Sequence, residues 1–134
     1  MENHINITEK RIYCADTDMY GVMWHGNYIR LFEAGRIEFM DDFHIDMDKI
    51  YEKFGVALPV VEINVKYKHI VKNGDRVKIK TKIKELKPHY IIFEQSINSL
   101  DDKVMASGEV KCVGVSKEGR IVRNFPDYLK PIED

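Results

Sequence analysis

Apolar residues change their spacing twice along this chain. Ile5 and Ile7, then Ile12 and Cys14, alternate with polar neighbours, which predicts a first strand over Ile5 to Cys14. From His25 or Asn27 the spacing becomes three and four. Tyr28, Leu31, Phe32, Gly35 and Phe39 predict a helix running to about Phe43. Ile37, Met40 and Phe43 widen its apolar arc beyond one stripe, so the helix must be covered over most of its circumference. Glu33 and Arg36, three apart, are spaced to pair on the remaining side. Gly35 costs about 1 kcal/mol relative to alanine inside a helix, which implies a close neighbour there. A shorter helix is predicted over Met47 to Lys53, ended by Gly55.

The second half has period two. Val61, Ile63, Val65 and Tyr67 alternate with Glu62, Asn64, Lys66 and Lys68, and Val77, Ile79, Thr81 and Ile83 alternate with lysines at 78, 80, 82 and 84. Asn73-Gly74-Asp75 predicts a turn between these two strands. Lys87-Pro88-His89 turns into a strand from Tyr90 to Ser99, and Asp101-Asp102-Lys103 into another from Val104 to Val115. A turn at Lys117 to Arg120 leads to a short terminal helix or coil from Pro126. Strand, long helix, then strands linked by tight turns is an α+β order: a largely antiparallel sheet laid against, and curved around, one apolar helix.

Composition narrows the classes. The 134 residues suit one domain, with no internal repeat or linker, and 44% hydrophobic with 32% charged content is ordinary for a globular protein. A formal charge of −1 excludes a global pull toward nucleic acid or anionic membrane. Cys14 and Cys112 form no CxxC pattern, so neither a disulfide framework nor a zinc knuckle is expected. The N-terminus lacks a basic region followed by an apolar core, and no apolar run approaches the ~20 residues that span a bilayer. A cytoplasmic protein without membrane insertion is expected.

The densest chemistry lies between Asp16 and Asn27, where two carboxylates, a Gly21 turn, a histidine and a helix start fall within a dozen residues. A helix N-terminus offers free N–H groups and the positive end of a dipole, suited to a developing anion. An aspartate with a reference pKa near ~3.9 is ionised at neutral pH and can act as base or nucleophile. Together they suit attack on an acyl group. A calcium loop is excluded: Asp16, Asp18 and Gly21 take its first, third and sixth places, but Tyr20 and Asn27 occupy the fifth and twelfth. A metal site from Asp18, His25 and His44 and a nucleophilic Cys14 are both disfavoured, and no metal is expected. The strand lysines read as a solvated face.

The run Tyr-x-x-Asp-Thr-Asp-x-x-Gly-Val-x-x-His-x-Asn-Tyr-x-x-x-Phe-Glu-x-x-Arg, from Tyr13 to Arg36, resembles the hotdog-fold acyl-CoA thioesterases of the 4-hydroxybenzoyl-CoA thioesterase and YbgC-like group. The resemblance implies a hotdog fold over residues 1–134, hydrolysis of an acyl-CoA to free acid and CoA, and no cofactor, coenzyme A being part of the substrate. By position it makes Asp18 the catalytic carboxylate, as base or nucleophile, and His25 the residue at the helix start whose backbone polarises the carbonyl. It makes Tyr13, Gly21, Val22, Trp24, Asn27 and Tyr28 substrate-binding, with Pro59, Val60 and Val61 lining the acyl pocket and Lys87 and His89 near the nucleotide. Cys14 stands where some members have a tyrosine, and Asp16 keeps a structural role. The resemblance further implies a homodimer or homotetramer with sites at the subunit interface. Rival readings are an acyl carrier protein thioesterase, which would favour a basic docking surface, and a non-catalytic acyl-CoA-binding protein.

Overall fold

The computed structural model describes residues 1–133. Five strands, β1 (Ile5–Arg11), β2 (Val60–Tyr67), β3 (Arg76–Leu86), β4 (Tyr90–Ser99) and β5 (Val104–Val113), form one sheet, all of whose pairings are antiparallel. Two α-helices, α1 (His25–Asp41) and α2 (Met47–Phe54), lie between β1 and β2 in sequence. The sheet curves around α1, the expected α+β hotdog arrangement. Among the described residues no helix is long and apolar enough to cross a membrane.

α1 forms where the three-and-four spacing places it. Tyr28, Leu31, Phe32, Phe39 and Met40 are buried against β1, β3 and β4. Gly35 is the closest approach: a Cβ there would lie 2.6 Å from Thr81 Oγ1 and 2.7 Å from Ile79 Cγ2. The helix closes in a Schellman motif. Ile45 N–H donates to Met40 O and His44 N–H to Asp41 O, with His44 at φ +57°. Gly55, at φ +69°, ends α2, whose start is capped by Asp46.

Three expectations are corrected. First, β1 stops at Arg11, and Cys14–Asp16 is a short 3-10 turn. Ile5 and Ile7 are 54% and 56% exposed while Asn6 is buried. The register pairs Ile5 with Lys82 and Ile7 with Lys80, which puts both isoleucines on the outer face. Asn6 points in because its amide donates to Asp42 Oδ2, at 2.8 Å, beyond the last turn of α1. Second, β2 and β3 are not neighbours. The strand order is β1-β3-β4-β5-β2, so β2 is an edge strand paired only with β5. Asn73-Gly74 does turn, with Gly74 at φ +90°, but it ends a crossover over residues 68–75 instead of closing a hairpin. Third, α1 is not covered on most of its circumference within one protomer: Ile29 is exposed and Ile37 is 59% exposed.

Candidate active site

The crossover positions the chemistry. Met23 N–H donates to Val71 O (2.7 Å), Asn73 N–H donates to Gly21 O (3.1 Å), and Val22 bridges Lys72. Those contacts hold the loop that carries Asp18. Within it Asp18 N–H donates to Val22 O and Gly21 N–H to Asp18 O, with Gly21 at φ +75° supplying the left-handed residue the turn needs. Asp16 is structural, as expected: its carboxylate accepts Tyr13 N–H (2.8 Å), and its carbonyl accepts Trp24 N–H and the Asn27 Nδ2 amide.

Asp18 itself is exposed. Oδ1 accepts Tyr20 N–H at 2.8 Å, and Oδ2 has no partner among the described residues. At the start of α1, Trp24 occupies the cap position without a side-chain cap bond, and no acidic residue stands in the first turn. The N–H groups of His25 and Gly26 find no acceptor among the described residues, whereas Asn27 N–H bonds back to Trp24 O. Two unengaged amide hydrogens at the positive end of a 17-residue helix are a ready anion site. Trp24 lies across this start: a Cβ on Gly26 would overlap the indole ring, and the Trp24 and His25 rings sit 4.9 Å apart. Sequence reasoning missed Tyr67, whose hydroxyl donates to His25 O (3.1 Å) and whose ring meets Tyr28 edge-on at 4.8 Å. An aromatic closing an alternating strand was its only signal. Tyr28 is buried, and desolvation raises its phenol pKa.

The residues expected at the site fall into two groups. Tyr13, Asp18, Gly21, Val22, Trp24, His25, Asn27 and Tyr28 gather at one end of the protomer, although Asn27 is only 7% exposed and its amide serves the Asp16 loop. Pro59, Val60 and Val61 lie at the far end of β2. That strand has 8 residues, so its ends are roughly 23 Å apart. Lys87 and His89 sit beyond the end of β3, an 11-residue strand whose start lies by the Asp18 loop, about 33 Å away. His44 is likewise at the other end of α1, so Asp18, His25 and His44 cannot share an ion within one protomer.

The family model described as "Thioesterase-like superfamily" matches residues 13–131. The chain belongs to that superfamily. Among superfamily relatives, the acyl-CoA thioesterase YbgC of Haemophilus influenzae is 29% identical over 123 residues, covering 90% of this chain and 88% of the relative. The putative acyl-CoA thioesterase YneP of Bacillus subtilis is 27% identical over 132 residues, covering 93% of each. A DHNA-CoA thioesterase from Staphylococcus aureus superimposes with a TM-score of 0.85 at 26% identity, covering 92% of this chain and 85% of that one.

Proposed function

We propose that this thioesterase-superfamily protein hydrolyses an acyl-CoA thioester to the free acid and coenzyme A. The observation that carries the reading is the uncapped start of α1, whose His25 and Gly26 amides have no acceptor among the described residues, at the same end of the protomer as the Asp18 oxygen that has no partner among them. The names of the YbgC and YneP relatives support it. The thioester carbonyl oxygen would lie against the amides, which stabilise the oxyanion as it forms; a donor of this kind contributes about 3–4 kcal/mol. Asp18 either deprotonates a water that attacks the carbonyl carbon, or attacks that carbon itself to give a mixed anhydride that water then hydrolyses, freeing the acid and the Asp18 carboxylate. Collapse of the tetrahedral adduct breaks the C–S bond, and the proton taken from water returns to the departing thiolate. The reaction as written requires water and no resident cofactor.

A second copy of the chain completes the site in this reading. β2 offers one unpaired edge, and Val60, Val61 and Tyr67 along it are exposed, as are Ile29 and Ile37 on α1. A two-fold axis near the middle of β2, pairing it antiparallel with its copy, sets the Tyr67 end of one protomer against the Val60 end of the other. Asp18 and His25 of each subunit then face the Pro59–Val61 rim of its partner, and the partner's far sheet end, with Lys87 and His89, comes nearer the nucleotide. We assign the protein to a cytoplasmic homodimer or a tetramer built from such pairs, and the widely separated free thiols of Cys14 and Cys112 suit a reducing compartment.

Asp18→Asn tests the assignment. Asp18 makes one loop bond and is exposed, so melting should be unchanged while thiol release from acyl-CoA falls about 100- to 10,000-fold. Wild-type turnover in the folded variant would reject the role of Asp18, and a monomeric mass for active enzyme would reject the shared site. Parallel rates on carrier-protein thioesters separate the two classes of thioester substrate.

A further inference from the structure

Arg36 does not form the surface pair that its spacing from Glu33 implies. Its guanidinium turns under α1 and Nη1 donates to Gln95 Oε1 at 3.0 Å, and no carboxylate lies within ion-pair distance of it among the described residues. Gln95 is 2% exposed, and its Nε2 donates to Phe32 O and Thr81 Oγ1, so the amide cannot flip and its oxygen is fixed toward Arg36. Burial lowers the guanidinium pKa, opposed by the neighbouring Cys112 and Glu33. Among the described residues one neutral acceptor serves a group that carries five donors. A partly buried cation so served is costly unless something else meets it.

Arg36 also lines a cavity of about 570 Å³ beside α1. Met40, Phe93 and Cys112 form its apolar depth, and Leu58, Pro59 and Val60 its wall. Four carboxylates, on Glu33, Asp41, Asp46 and Asp48, line the same cavity but are exposed to solvent. They disfavour a negatively charged occupant. What remains is an occupant with an apolar body and one neutral acceptor oxygen.

We propose that Arg36 reads the distal end of the acyl group, donating to a hydroxyl or keto oxygen carried on an otherwise apolar tail. This rests on the thioesterase reading above, since the two-fold pairing of β2 is what turns the Pro59–Val60 mouth of this cavity toward the partner's Asp18. Arg36 is then a specificity-determining residue, and the substrate class is oxygenated acyl-CoAs.

The test is kcat/KM for matched plain, ω-hydroxy and ω-carboxy acyl-CoAs from butyryl to decanoyl. The wild-type enzyme should favour the ω-hydroxy member about tenfold or more at one chain length, with no gain from the ω-carboxylate. In Arg36→Met that ratio should fall to near one, and Arg36→Lys should restore part of it. A wild-type ratio near one at every length overturns the proposal, as does an unchanged ratio in folded Arg36→Met. An ω-carboxylate preference that disappears in Arg36→Met overturns the neutral-oxygen assignment. If Arg36→Met does not fold, the wild-type series and Arg36→Lys decide. If no thioester is cleaved, the thioesterase reading fails separately, and calorimetric binding of the matched free acids to the wild-type protein still supports or rejects the role of Arg36.

Discussion

Gly26→Ala isolates the helix start from everything else. The new methyl would occupy space now filled by the Trp24 ring, so the indole must swing away or the first turn of α1 must shift. The stability cost is small. Trp24 is already half exposed, so little burial is lost when it moves, and alanine gains up to about 1 kcal/mol over glycine in a helix. Melting should therefore change by the equivalent of no more than about 1 kcal/mol. Catalysis should respond far more strongly, because in the proposed mechanism the His25 and Gly26 amides point at the oxyanion and their frame is set by this turn. Losing one such donor lowers kcat about 100- to 1,000-fold. Trp24 is the one tryptophan in the chain, so its emission reports the ring displacement directly. The decisive assay pairs that emission with thiol release on the same sample. A variant whose emission shifts while kcat stays at the wild-type level would refute the claim that the start of α1 polarises the carbonyl.

Two further outcomes follow from packing and charge. Gly35→Ala places a methyl 2.6–2.9 Å from Thr81 Oγ1, Ile79 Cγ2 and Gln95 Nε2. Overpacking costs about 1–3 kcal/mol, set against up to about 1 kcal/mol gained in helix propensity, so denaturant unfolding should show net destabilisation; a stabilised variant would contradict the close approach. Asp42 is held below the usual carboxylate range, first by the Asn6 amide and next by His4, whose Nε2 lies 2.6 Å away. A depressed carboxylate stabilises the fold above its unfolded pKa and loses that contribution as pH falls through the folded one. Stability should therefore drop on acidification below about pH 4, and Asp42→Asn should flatten that part of the profile; an identical profile in the variant would remove Asp42 as a source.

Where local pattern and tertiary placement coincide, the chain is legible. α1, α2 and the period-two run of β3 follow from spacing within each element, with Gly55 marking the end of α2. Asp16 was legible as structural for the same reason, its carboxylate bonding three residues back. Errors arose where a residue answers to something distant. Ile5 and Ile7 alternate correctly but face outward, because the strand's phase was set by Asn6 reaching Asp42. Arg36 sits at ion-pair spacing from Glu33 but turns to Gln95, fifty-nine positions away. The order of the strands was hidden altogether. A turn such as Asn73-Gly74 shows that the chain reverses, not which strand it reverses beside. The exposed apolar residues of β2 and α1 could not be distinguished in sequence from core positions, because alternation and three-and-four spacing mark an apolar face without saying what covers it.

That hidden strand order is also what holds the Asp18 loop. Because β5 and β4 separate β2 from β3, residues 68–75 must cross the end of the sheet, and the Asp18 loop is hung on that crossing. Asn73→Pro tests the suspension without disturbing the turn. Asp75 N–H donates to Lys72 O across Asn73 and Gly74, with Gly74 at φ +90°, a geometry that favours proline at the Asn73 position. Lys72 lies in an extended bridge, which the residue before proline prefers. The substitution removes the Asn73 N–H that holds Gly21 O, a loss of about 0.5–1.5 kcal/mol. A proline compatible with the turn returns about 0.4–1 kcal/mol through the unfolded chain. Stability should therefore stay within about 1 kcal/mol of wild type, while Asp18 loses one of the contacts that fixes its loop. A displacement near 1 Å costs up to about 100-fold in rate, so kcat should fall with melting nearly unchanged. If kcat is unaffected in a variant that melts like the wild type, the crossover is only a connection, and the position of Asp18 is determined by the loop's own turn.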